Sequence, residues 1–460
     1  MYRINPRIKW RWEGDKILLS TFIGMNRIAG EVVELYDKGN EPESVVEAMH
    51  KRYPDVLYDK IRSDILAITD QLVTLNIVVS EESEAFEDVP HDPFAMGHIG
   101  QYFGNNLTAP VGVACEITAR CNARCLHCSI PSTTEDTGEL TTDQWKNIID
   151  EMADIKVFGA SFTGGEPLVR KDTLDLVKYA HDRGLRVSVA TNGYLLDELM
   201  IDKLVASGAD FFMVSLDGAT AETHDTFRGL PGLFEQVKSA LQLLVDKKLS
   251  VGVISIVTTM NVNEAVDIID VVKDLGVTRL SLANIRLAGR AAENRYLEPT
   301  VEDFTKLLSD LYEKDQKVTG IDVKYPNLPA KLYMESIGTD SYRKVVEQGK
   351  IGVCGAGIIG CAISPTGDVK PCDMSGPVSL GNVLKTSLKE VWDTSDVFAH
   401  LRTVQVESQI PCRDCQLSHM CLPGCKAQPY QIGEGGNMLL ADTTRRQCFD
   451  AFRDELMKES

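Results

Sequence analysis

The sequence predicts an α/β protein whose central domain is a partial parallel barrel of six βα units, between a small winged-helix-like domain and a cysteine-rich region. The first observation behind this prediction is a series of six short, apolar, β-rich runs separated by segments with helical periodicity. The second is a hairpin pattern followed by helical patterns near the amino-terminal end. The third is the crowding of cysteines: of the 12 in the chain, all but Cys115 fall in two groups, after residues 120 and 350.

The chain is too long for a single hydrophobic core. Its 460 residues predict two to four domains, and its 43% hydrophobic and 25% charged residues are typical of a globular protein. We expect a first domain over 1–80, a linker over 81–110, the barrel over 111–320, a bridging region over 321–350 and a cysteine-rich domain over 351–460.

The first domain begins with the segment IKWRWEGDKILLST, which alternates around a turn at Glu13-Gly14-Asp15 and predicts a β-hairpin. Helices are expected at about 28–35 and 43–52, and a third where isoleucines and leucines recur at helical spacing over 61–75. A hairpin followed by three helices predicts a compact, winged-helix-like module. The module lacks the basic recognition face that DNA binding requires.

The linker is acidic at first, with the run EESEAFEDVPHDP, and then contains glycine and asparagine. It has no clear periodicity, which indicates a tether between domains.

The barrel is predicted by the runs VGVACEIT, VFGASFT, LRVSVAT, FFMVSLD, VGVISIVT and RLSLANI. Between the first two, a helix should begin at Thr141, with Gln144 placed for a capping box. Repeated βα units imply a parallel sheet with right-handed crossovers. Six units are fewer than the eight of a closed barrel, so we expect a partial barrel.

Polar and metal-binding side chains follow four consecutive strands of the predicted barrel. Because parallel barrels place their chemistry at the carboxyl ends of the strands, these side chains should meet at one rim. In chain order they are Cys121, Cys125 and Cys128, then Gly164, Gly165 and Glu166, then Asn192, and finally Ser215 and Asp217.

The cysteine loop CNARCLHC crowds three thiols into eight positions. In a reducing compartment such clustering favours metal binding over disulfides. Three thiolates can hold three irons of a [4Fe–4S] cubane and leave the fourth iron open to a small molecule. The alternatives are a zinc site completed by His127, which lies awkwardly beside Cys128, and three buried cysteines without a metal.

Charge and hydropathy exclude several classes of protein. A net charge of -19 argues against binding to nucleic acid, which needs clustered Lys and Arg. No stretch approaches the roughly 20 apolar residues of a membrane span. The opening residues, MYRINPRIKWRWEGDK, lack the features of a secretory signal, so we expect a cytoplasmic protein without a membrane partner.

The CxxxCxxC loop together with GGEP resembles the radical S-adenosylmethionine (SAM) superfamily. The resemblance implies that the amino and carboxylate groups of SAM chelate the open iron of a [4Fe–4S] cluster. It further implies that an electron from the cluster splits SAM into methionine and a 5′-deoxyadenosyl radical, which takes hydrogen from a substrate.

The same resemblance implies contacts to SAM at the strand ends. GGEP would receive the amino group, VSLDG the ribose or the methionyl end, and the arginine of HDTFRG the carboxylate, while the asparagine after the third strand is a further ribose candidate. These residues are Gly164, Gly165, Glu166, Ser215, Asp217, Arg228 and Asn192.

The carboxy-terminal cysteines resemble the SPASM domain, which holds two auxiliary [4Fe–4S] clusters. The resemblance assigns Cys354, Cys361, Cys372 and Cys425 to the first cluster and Cys412, Cys415, Cys421 and Cys448 to the second. The intermediate position of the first set varies in this family; if Cys361 is not a ligand, that cluster has an open iron where substrate could bind. A pair of zinc ribbons is the alternative.

Two further residues have competing interpretations. Cys115 lies inside the first barrel strand and is expected to be a buried apolar side chain. Asp373 directly follows a predicted cluster ligand and matches a general-base position in sulfatase-maturing relatives; otherwise it is a supporting or surface carboxylate.

The first domain is similar to the pyrroloquinoline-quinone D (PqqD) type of recognition domain in peptide-maturation enzymes. There a precursor's leader peptide adds a strand to an exposed β-edge, so that main-chain pairing supplies affinity and side-chain pockets select sequence. The alternative is a structural or dimerisation domain.

Together these resemblances predict a maturase of a ribosomally made peptide, with three [4Fe–4S] clusters, SAM, a precursor peptide bound through its leader, and an electron donor such as flavodoxin or ferredoxin. The expected reaction is a thioether crosslink between a cysteine sulfur and a carbon of another residue. The alternatives are carbon–carbon or other crosslinking, epimerisation, less readily sulfatase activation, and a non-catalytic, zinc-stabilised peptide-binding scaffold.

Overall fold

The computed structural model describes residues 1–80, 103 and 106–403, except positions 7, 22, 131, 136, 137, 352, 353, 376 and 377. The chain forms two compact units, Met1–Thr108 and Ala109–Ser460. In the described part of the chain, no helix combines the length and apolarity needed to cross a membrane.

The first unit contains the predicted hairpin and three helices. Its elements are β1 (Tyr2–Ile4), β2 (Trp10–Glu13), β3 (Lys16–Leu19), β4 (Gly24–Met25), α1 (Arg27–Asp37), α2 (Pro42–Arg52), α3 (Tyr58–Thr74) and β5 (Val78–Ser80). Strands β2, β3 and β4 form an antiparallel sheet in that order, and β1 pairs antiparallel with β5. The strands β1, β4 and β5 were not predicted, because two or three residues carry no measurable alternation.

The helices of the first unit pack around one apolar core. Val33 and Tyr36 of α1 are fully buried, as are Val45 and Val46 of α2. The Tyr36 hydroxyl lies 2.8 Å from the Thr69 hydroxyl, so its polar end is satisfied inside the core. The unit therefore has its own core, as an independent domain requires.

The second unit is built on a nine-stranded sheet with the order β12-β11-β10-β9-β8-β7-β6-β13-β14. Neighbours are parallel except β14, which is antiparallel to β13. The strands are β6 (Gly112–Thr118), β7 (Gly159–Gly164), β8 (Arg186–Thr191), β9 (Phe211–Ser215), β10 (Val251–Val257), β11 (Arg279–Asn284), β12 (Asp322–Lys324), β13 (Gly360–Ile363) and β14 (Val369–Lys370).

All six predicted barrel strands are present and adjacent in chain order, which confirms the partial parallel barrel. The sheet continues past both predicted edges: β12 pairs with β11, and β13 pairs with β6. These additions come from the predicted bridging and cysteine-rich regions. The cysteine-rich region therefore contributes a strand to the barrel sheet itself.

Helices connect and cover the strands of the second unit. They are α4 (Thr142–Asp154), α5 (Thr173–Asp182), α6 (Glu198–Ala206), α7 (Ala221–Arg228), α8 (Leu233–Asp246), α9 (Asp267–Asp274), α10 (Arg290–Glu293), α11 (Val301–Lys317), α12 (Ala330–Ile337), α13 (Thr339–Glu347), α14 (Leu388–Thr394) and α15 (Asp396–Thr403). The predicted capping box is confirmed: Gln144 N donates to the Thr141 hydroxyl, and Thr141 N donates to the Gln144 side chain.

The two faces of the barrel sheet differ in residue size. On the helix-covered face the side chains are large and fully buried, as with Phe162, Val189 and Val214. On the opposite face most are small or hydroxylated and half-buried: Ser161, Thr163, Ser188, Ala190 and Ser215; Arg186 and Met213 are the larger side chains of this face. Because right-handed crossovers place the helices outside a parallel barrel, the second face lines its interior. Small side chains there leave room for a ligand.

A buried ion pair joins the first barrel strand to the cysteine-rich region. Lys370 Nζ lies 2.6 Å from Glu116 Oε1, and both side chains are almost fully buried. Burial raises the pKa of Glu116 to about 7, although Lys370 opposes the shift; Asp373 is close enough to raise it further. The strand that precedes the first cysteine loop is thus tied to the segment that carries Cys372 and Asp373.

Candidate functional site

The cysteine loop between β6 and α4 is held in place through its backbone. Cys125 is buried, and Cys121 and Cys128 are half-buried. The end of α7 accepts two hydrogen bonds from the loop: Arg124 N donates to Arg228 O and Leu126 N to Phe227 O, each at 3.0 Å. The loop is therefore fixed against the same helix end that carries the predicted arginine.

A second segment, beyond β11, also holds the loop and was missed by sequence reasoning. Arg290 Nε donates to Cys125 O at 2.9 Å, and Asn294 Nδ2 donates to Leu126 O at 3.1 Å. At Gly289, φ is positive and an added Cβ would lie 2.7 Å from the carbonyl oxygen of Cys128. The run LAGRAAENR follows a barrel strand end, and that position is the one signal in the sequence for its role.

The protein environment favours the protonated form of Cys121 and Cys125 when no metal binds them. Burial raises the pKa of Cys121 to about 11 and also raises that of Cys125. Arg228 opposes the shift at Cys125, because its Nη1 lies 3.9 Å from Cys125 Sγ. A soft metal centre would release these protons, and the nearby guanidinium would offset part of the negative charge of the bound thiolates.

The structure does not place His127 as the fourth ligand of a zinc ion held by the loop. Among the described residues, no three His, Cys, Asp or Glu side chains converge on a point where one metal ion could sit. His127 instead stacks on Phe227, with ring centroids 4.2 Å apart, and burial lowers its pKa to about 3. A cubane places each thiolate on a different iron, so it does not require the three thiols to meet at one ion.

The glycines of GGEP allow the second strand end to approach the cysteine loop closely. An added Cβ at Gly164 would overlap the carbonyl oxygen of Thr118, and one at Gly165 would overlap that of Arg120. Gly164 also has φ of 130°, which only glycine adopts readily. The two glycines therefore lie against the backbone that leads into Cys121.

Glu166 is fully buried, and both oxygens of its carboxylate already accept hydrogen bonds from the protein. Its oxygens accept hydrogen bonds from the Thr191 hydroxyl at 2.8 Å, Asn192 N at 2.7 Å and Leu168 N at 3.1 Å. Burial raises its pKa to about 7 in spite of these donors. Glu166 thus joins the second strand end to the third, and a ligand at GGEP would meet the backbone of the loop.

Asn192 bridges the third strand end to the cysteine loop. Its Nδ2 donates to Asn122 Oδ1 at 2.8 Å, while its Oδ1 accepts from Tyr194 N at 3.0 Å. Both the nitrogen and the oxygen of this amide are therefore hydrogen-bonded within the protein. Sequence reasoning missed Asn122, although it directly follows Cys121 in the motif.

Asp217 and Arg228 form a buried ion pair next to the cysteine loop. Arg228 Nε lies 2.5 Å from Asp217 Oδ2, and the other carboxylate oxygen accepts from Ile256 N at 2.7 Å. Burial alone would raise the pKa of Asp217, but Arg228, the two neighbouring histidines and the Ile256 N–H together outweigh burial, so the pKa lies below its usual value. Asp217 therefore positions Arg228, whereas Ser215 faces the barrel interior.

The described cysteines of the cysteine-rich region separate into two places. Cys354 and Cys372 both pack against Ala356. Cys361 lies in β13, outside that group, where its buried thiol is close to Cys115 and Arg402 and its pKa is raised to about 12 by burial. Cys115 is fully buried, as predicted.

Of the remaining predicted positions of this region, the structure describes Asp373 but not the last five cysteines. Asp373 is half-buried beside Glu116. Cys412, Cys415, Cys421, Cys425 and Cys448 lie outside the described residues.

Three family models match the chain. Residues 115–281 match the radical SAM superfamily, residues 354–416 match SPASM, an iron–sulfur cluster-binding domain, and residues 15–78 match coenzyme PQQ synthesis protein D (PqqD). The resemblances drawn from the motifs are thereby confirmed.

Known proteins are similar over most of the chain. An AdoMet-dependent heme synthase from Methanosarcina barkeri is 35% identical over 334 residues, which cover 70% of this chain and 93% of that protein. The mycofactocin maturase MftC from Mycolicibacterium smegmatis is 33% identical over 342 residues, 72% of this chain and 82% of that protein.

A solved structure shares the fold of nearly the whole chain. Streptococcus suis SuiB bound to its precursor peptide SuiA has a TM-score of 0.67 at 17% identity, covering 96% of this chain and 99% of that one. The three family-model matches and the relative that is 35% identical over 70% of this chain identify its family. The chain belongs to the radical SAM superfamily and is a radical SAM enzyme with an iron–sulfur SPASM domain and a PqqD-type domain.

Proposed function

We propose that this enzyme matures a ribosomally made precursor peptide by forming thioether crosslinks in it. The observation that carries the proposal is the PqqD-type match at residues 15–78 on the same chain as the radical SAM and SPASM matches. A domain that binds a leader peptide has a purpose only if the substrate is a peptide. The name of MftC as a maturase and the precursor peptide bound to SuiB support the same substrate class.

Heme synthesis is the second candidate, because the heme synthase relative has the higher identity of the two relatives described. The alignments of both relatives leave more than a quarter of this chain unmatched. The folded first unit, Met1–Thr108, is about a quarter of the chain and has no evident role in modifying a tetrapyrrole. We therefore place peptide maturation first.

The first unit offers a physical basis for leader binding. Strand β4 is an edge of its three-stranded sheet, so an extended peptide could add a strand there. The same unit has a groove of about 720 Å³ at the hairpin turn and α1, where Arg27, Arg52 and Tyr53 surround the carboxylate of Glu31. Main-chain pairing would supply affinity, and charged side chains would select sequence.

At the barrel rim, we assign Cys121, Cys125 and Cys128 as the ligands of a [4Fe–4S] cluster that binds SAM. When bound, the cluster supplies the electron that cleaves SAM to methionine and a 5′-deoxyadenosyl radical. Arg228 is placed to pair with the SAM carboxylate, held by Asp217. The backbone at Gly164 and Gly165 would receive the amino group, and the small side chains of the barrel interior, Ser215 among them, leave space for the nucleoside.

The cysteine-rich region supports the choice of a thioether. We assign Cys354 and Cys372 to the first auxiliary cluster, with Cys425, and the other four carboxy-terminal cysteines to a second one, for three clusters in all. Because Cys361 lies apart from Cys354 and Cys372, we leave it out of the ligand set. A position without a protein ligand would suit the thiol of a peptide cysteine, with Asp373 nearby as a base. A flavodoxin or ferredoxin is the proposed electron donor.

A mass measurement tests the chemistry. We expect the anaerobic, reconstituted enzyme with SAM and dithionite to lower the mass of the precursor encoded beside its gene by two hydrogens per crosslink. One hydrogen atom would leave with 5′-deoxyadenosine, the peptide thiol would lose its proton, and the remaining electron would pass to an auxiliary cluster. Alkylation with iodoacetamide should then label one cysteine fewer per crosslink, which separates a thioether from a carbon–carbon bond. An unchanged mass with deuterium uptake from D2O would indicate epimerisation, and turnover of a tetrapyrrole but not of the peptide would contradict maturation.

Removal of residues 1–80 tests leader recognition. We expect precursor affinity to fall roughly a hundredfold, the equivalent of about 3 kcal/mol, because several main-chain hydrogen bonds to the leader are lost. Fluorescence anisotropy with labelled leader peptide measures the affinity. Uncoupled SAM cleavage should persist, which controls for damage to the barrel unit. Unchanged affinity in the truncated protein would contradict a leader-binding role for the first unit.

A further inference from the structure

The cysteine loop contains a buried amide nitrogen that makes no hydrogen bond within the described part of the chain. It is Nδ2 of Asn122, the residue directly after Cys121. Buried polar nitrogens almost always have a partner, and one left without a partner is costly. The neighbours of Asn122 therefore indicate what this nitrogen serves.

The orientation of the amide is set by two hydrogen bonds in series. Tyr194 N can only donate, so the end of Asn192 that it meets must be the oxygen, at 3.0 Å. The Nδ2 of Asn192 is then turned toward Asn122, whose oxygen accepts it at 2.8 Å. The nitrogen of Asn122 is consequently the end that faces away from Asn192, and a flip would oppose two donors.

The loop places the Asn122 amide beside a cysteine sulfur. The Cys121 thiol donates to Asn122 Oδ1 at 3.9 Å, and the same sulfur accepts a hydrogen bond from Ala123 N at 3.4 Å. In the described surroundings, the donors that already face the loop sulfurs include this backbone N–H, the Arg228 guanidinium at Cys125 and the Ser132 hydroxyl, which lies 3.6 Å from Cys128 Sγ. A cluster bound by the loop would bring further sulfur acceptors beside Asn122.

We infer that Asn122 Nδ2 donates a hydrogen bond to an inorganic sulfide of the bound cluster, and that Asn192 is the positioning residue that orients it. The inference rests on the proposed cluster ligands. Hydrogen bonds to cluster sulfurs stabilise the more negative, reduced state and so raise the reduction potential. The pair Asn122–Asn192 thereby eases the one-electron reduction that SAM cleavage requires.

An anaerobic redox titration followed by EPR on the full-length, reconstituted enzyme tests this role. The signal of the loop cluster is identified as the one that changes when SAM is added. At a fixed potential near the wild-type midpoint, Asn122→Ala should lower the ratio of reduced to oxidised cluster about tenfold, as expected for the loss of one hydrogen bond to a charged group. Asn192→Ala should lower it by less, because the donor remains but is no longer oriented.

Asn294→Ala is the matched control, since this side chain also holds the loop through an amide, but by a bond to the carbonyl oxygen of Leu126. Its midpoint should shift much less than that of Asn122→Ala, because no hydrogen bond to a cluster sulfur is lost. An equal shift in Asn294→Ala and Asn122→Ala, or no shift in Asn122→Ala, would overturn the inference. Failure of the wild-type loop to bind a SAM-responsive cluster would instead contradict the proposed function.

A second measurement uses the wild-type protein and does not depend on the stability of a variant. Electron–nuclear double resonance of the reduced loop cluster should show an exchangeable proton that is lost in D2O. Specific 15N labelling of asparagine side chains should reveal a nitrogen coupling to the same cluster. Absence of that coupling in wild-type enzyme with a SAM-responsive cluster would also overturn the inference.

Discussion

Simultaneous replacement of Cys121, Cys125 and Cys128 by alanine is expected to abolish reductive cleavage of SAM. The three thiols are soft donors of the described barrel rim, and burial raises the pKa of Cys121 and Cys125, so a metal must displace their protons to bind. Without them no cluster can deliver an electron to the sulfonium. With dithionite under anaerobic conditions, chromatography should detect no 5′-deoxyadenosine above the background without enzyme.

Cys115→Ala is the matched control for this experiment. Cys115 lies only a few residues before the loop, but it is fully buried within β6 and takes no part in the rim. This variant should cleave SAM at close to the wild-type rate and keep the iron content of all clusters. SAM cleavage retained by the triple variant would refute the assignment of the loop.

The barrel and its rim could be predicted from the sequence because both depend on local patterns. Each barrel strand is a contiguous apolar run followed directly by its polar residues, as with Cys121 after β6 and Glu166 after β7. Parallel strands then bring those residues to one edge whatever the details of packing. The strands β12 and β13 were missed because three or four residues show no periodicity, and their pairing partners lie far along the chain.

The roles of individual rim residues could not be predicted, because they depend on contacts between distant segments. The sequence alone suggests that the carboxylates of Glu166 and Asp217 are available to a ligand. In the structure Glu166 accepts a hydrogen bond from Asn192 N, and Asp217 forms an ion pair with Arg228. The ion pair between Glu116 and Lys370 spans 254 positions of sequence. No local pattern specifies which distant charge a buried carboxylate will meet, since that choice belongs to tertiary packing.

Asp217→Asn is expected to destabilise the second unit by about 3–5 kcal/mol, because it leaves the buried Arg228 guanidinium without its counter-charge. The amide would also turn a nitrogen toward either Arg228 Nε or Ile256 N, both of which are donors. Urea unfolding followed by circular dichroism measures the loss. Asp225→Asn is the matched control: this carboxylate, on the helix that carries Arg228, accepts from Gly232 N and Phe234 N at a half-buried site, and its substitution should cost about 1 kcal/mol.

The double variant Asp217→Asn/Arg228→Met separates stability from function. Removing the unpaired cation should restore most of the lost stability, since methionine fills a similar volume without a charge to solvate. SAM cleavage should stay low in the double variant, because no guanidinium remains at 3.9 Å from Cys125 or in reach of the SAM carboxylate. If the double variant regains wild-type cleavage together with its stability, the pair serves folding alone and Arg228 has no part in binding SAM.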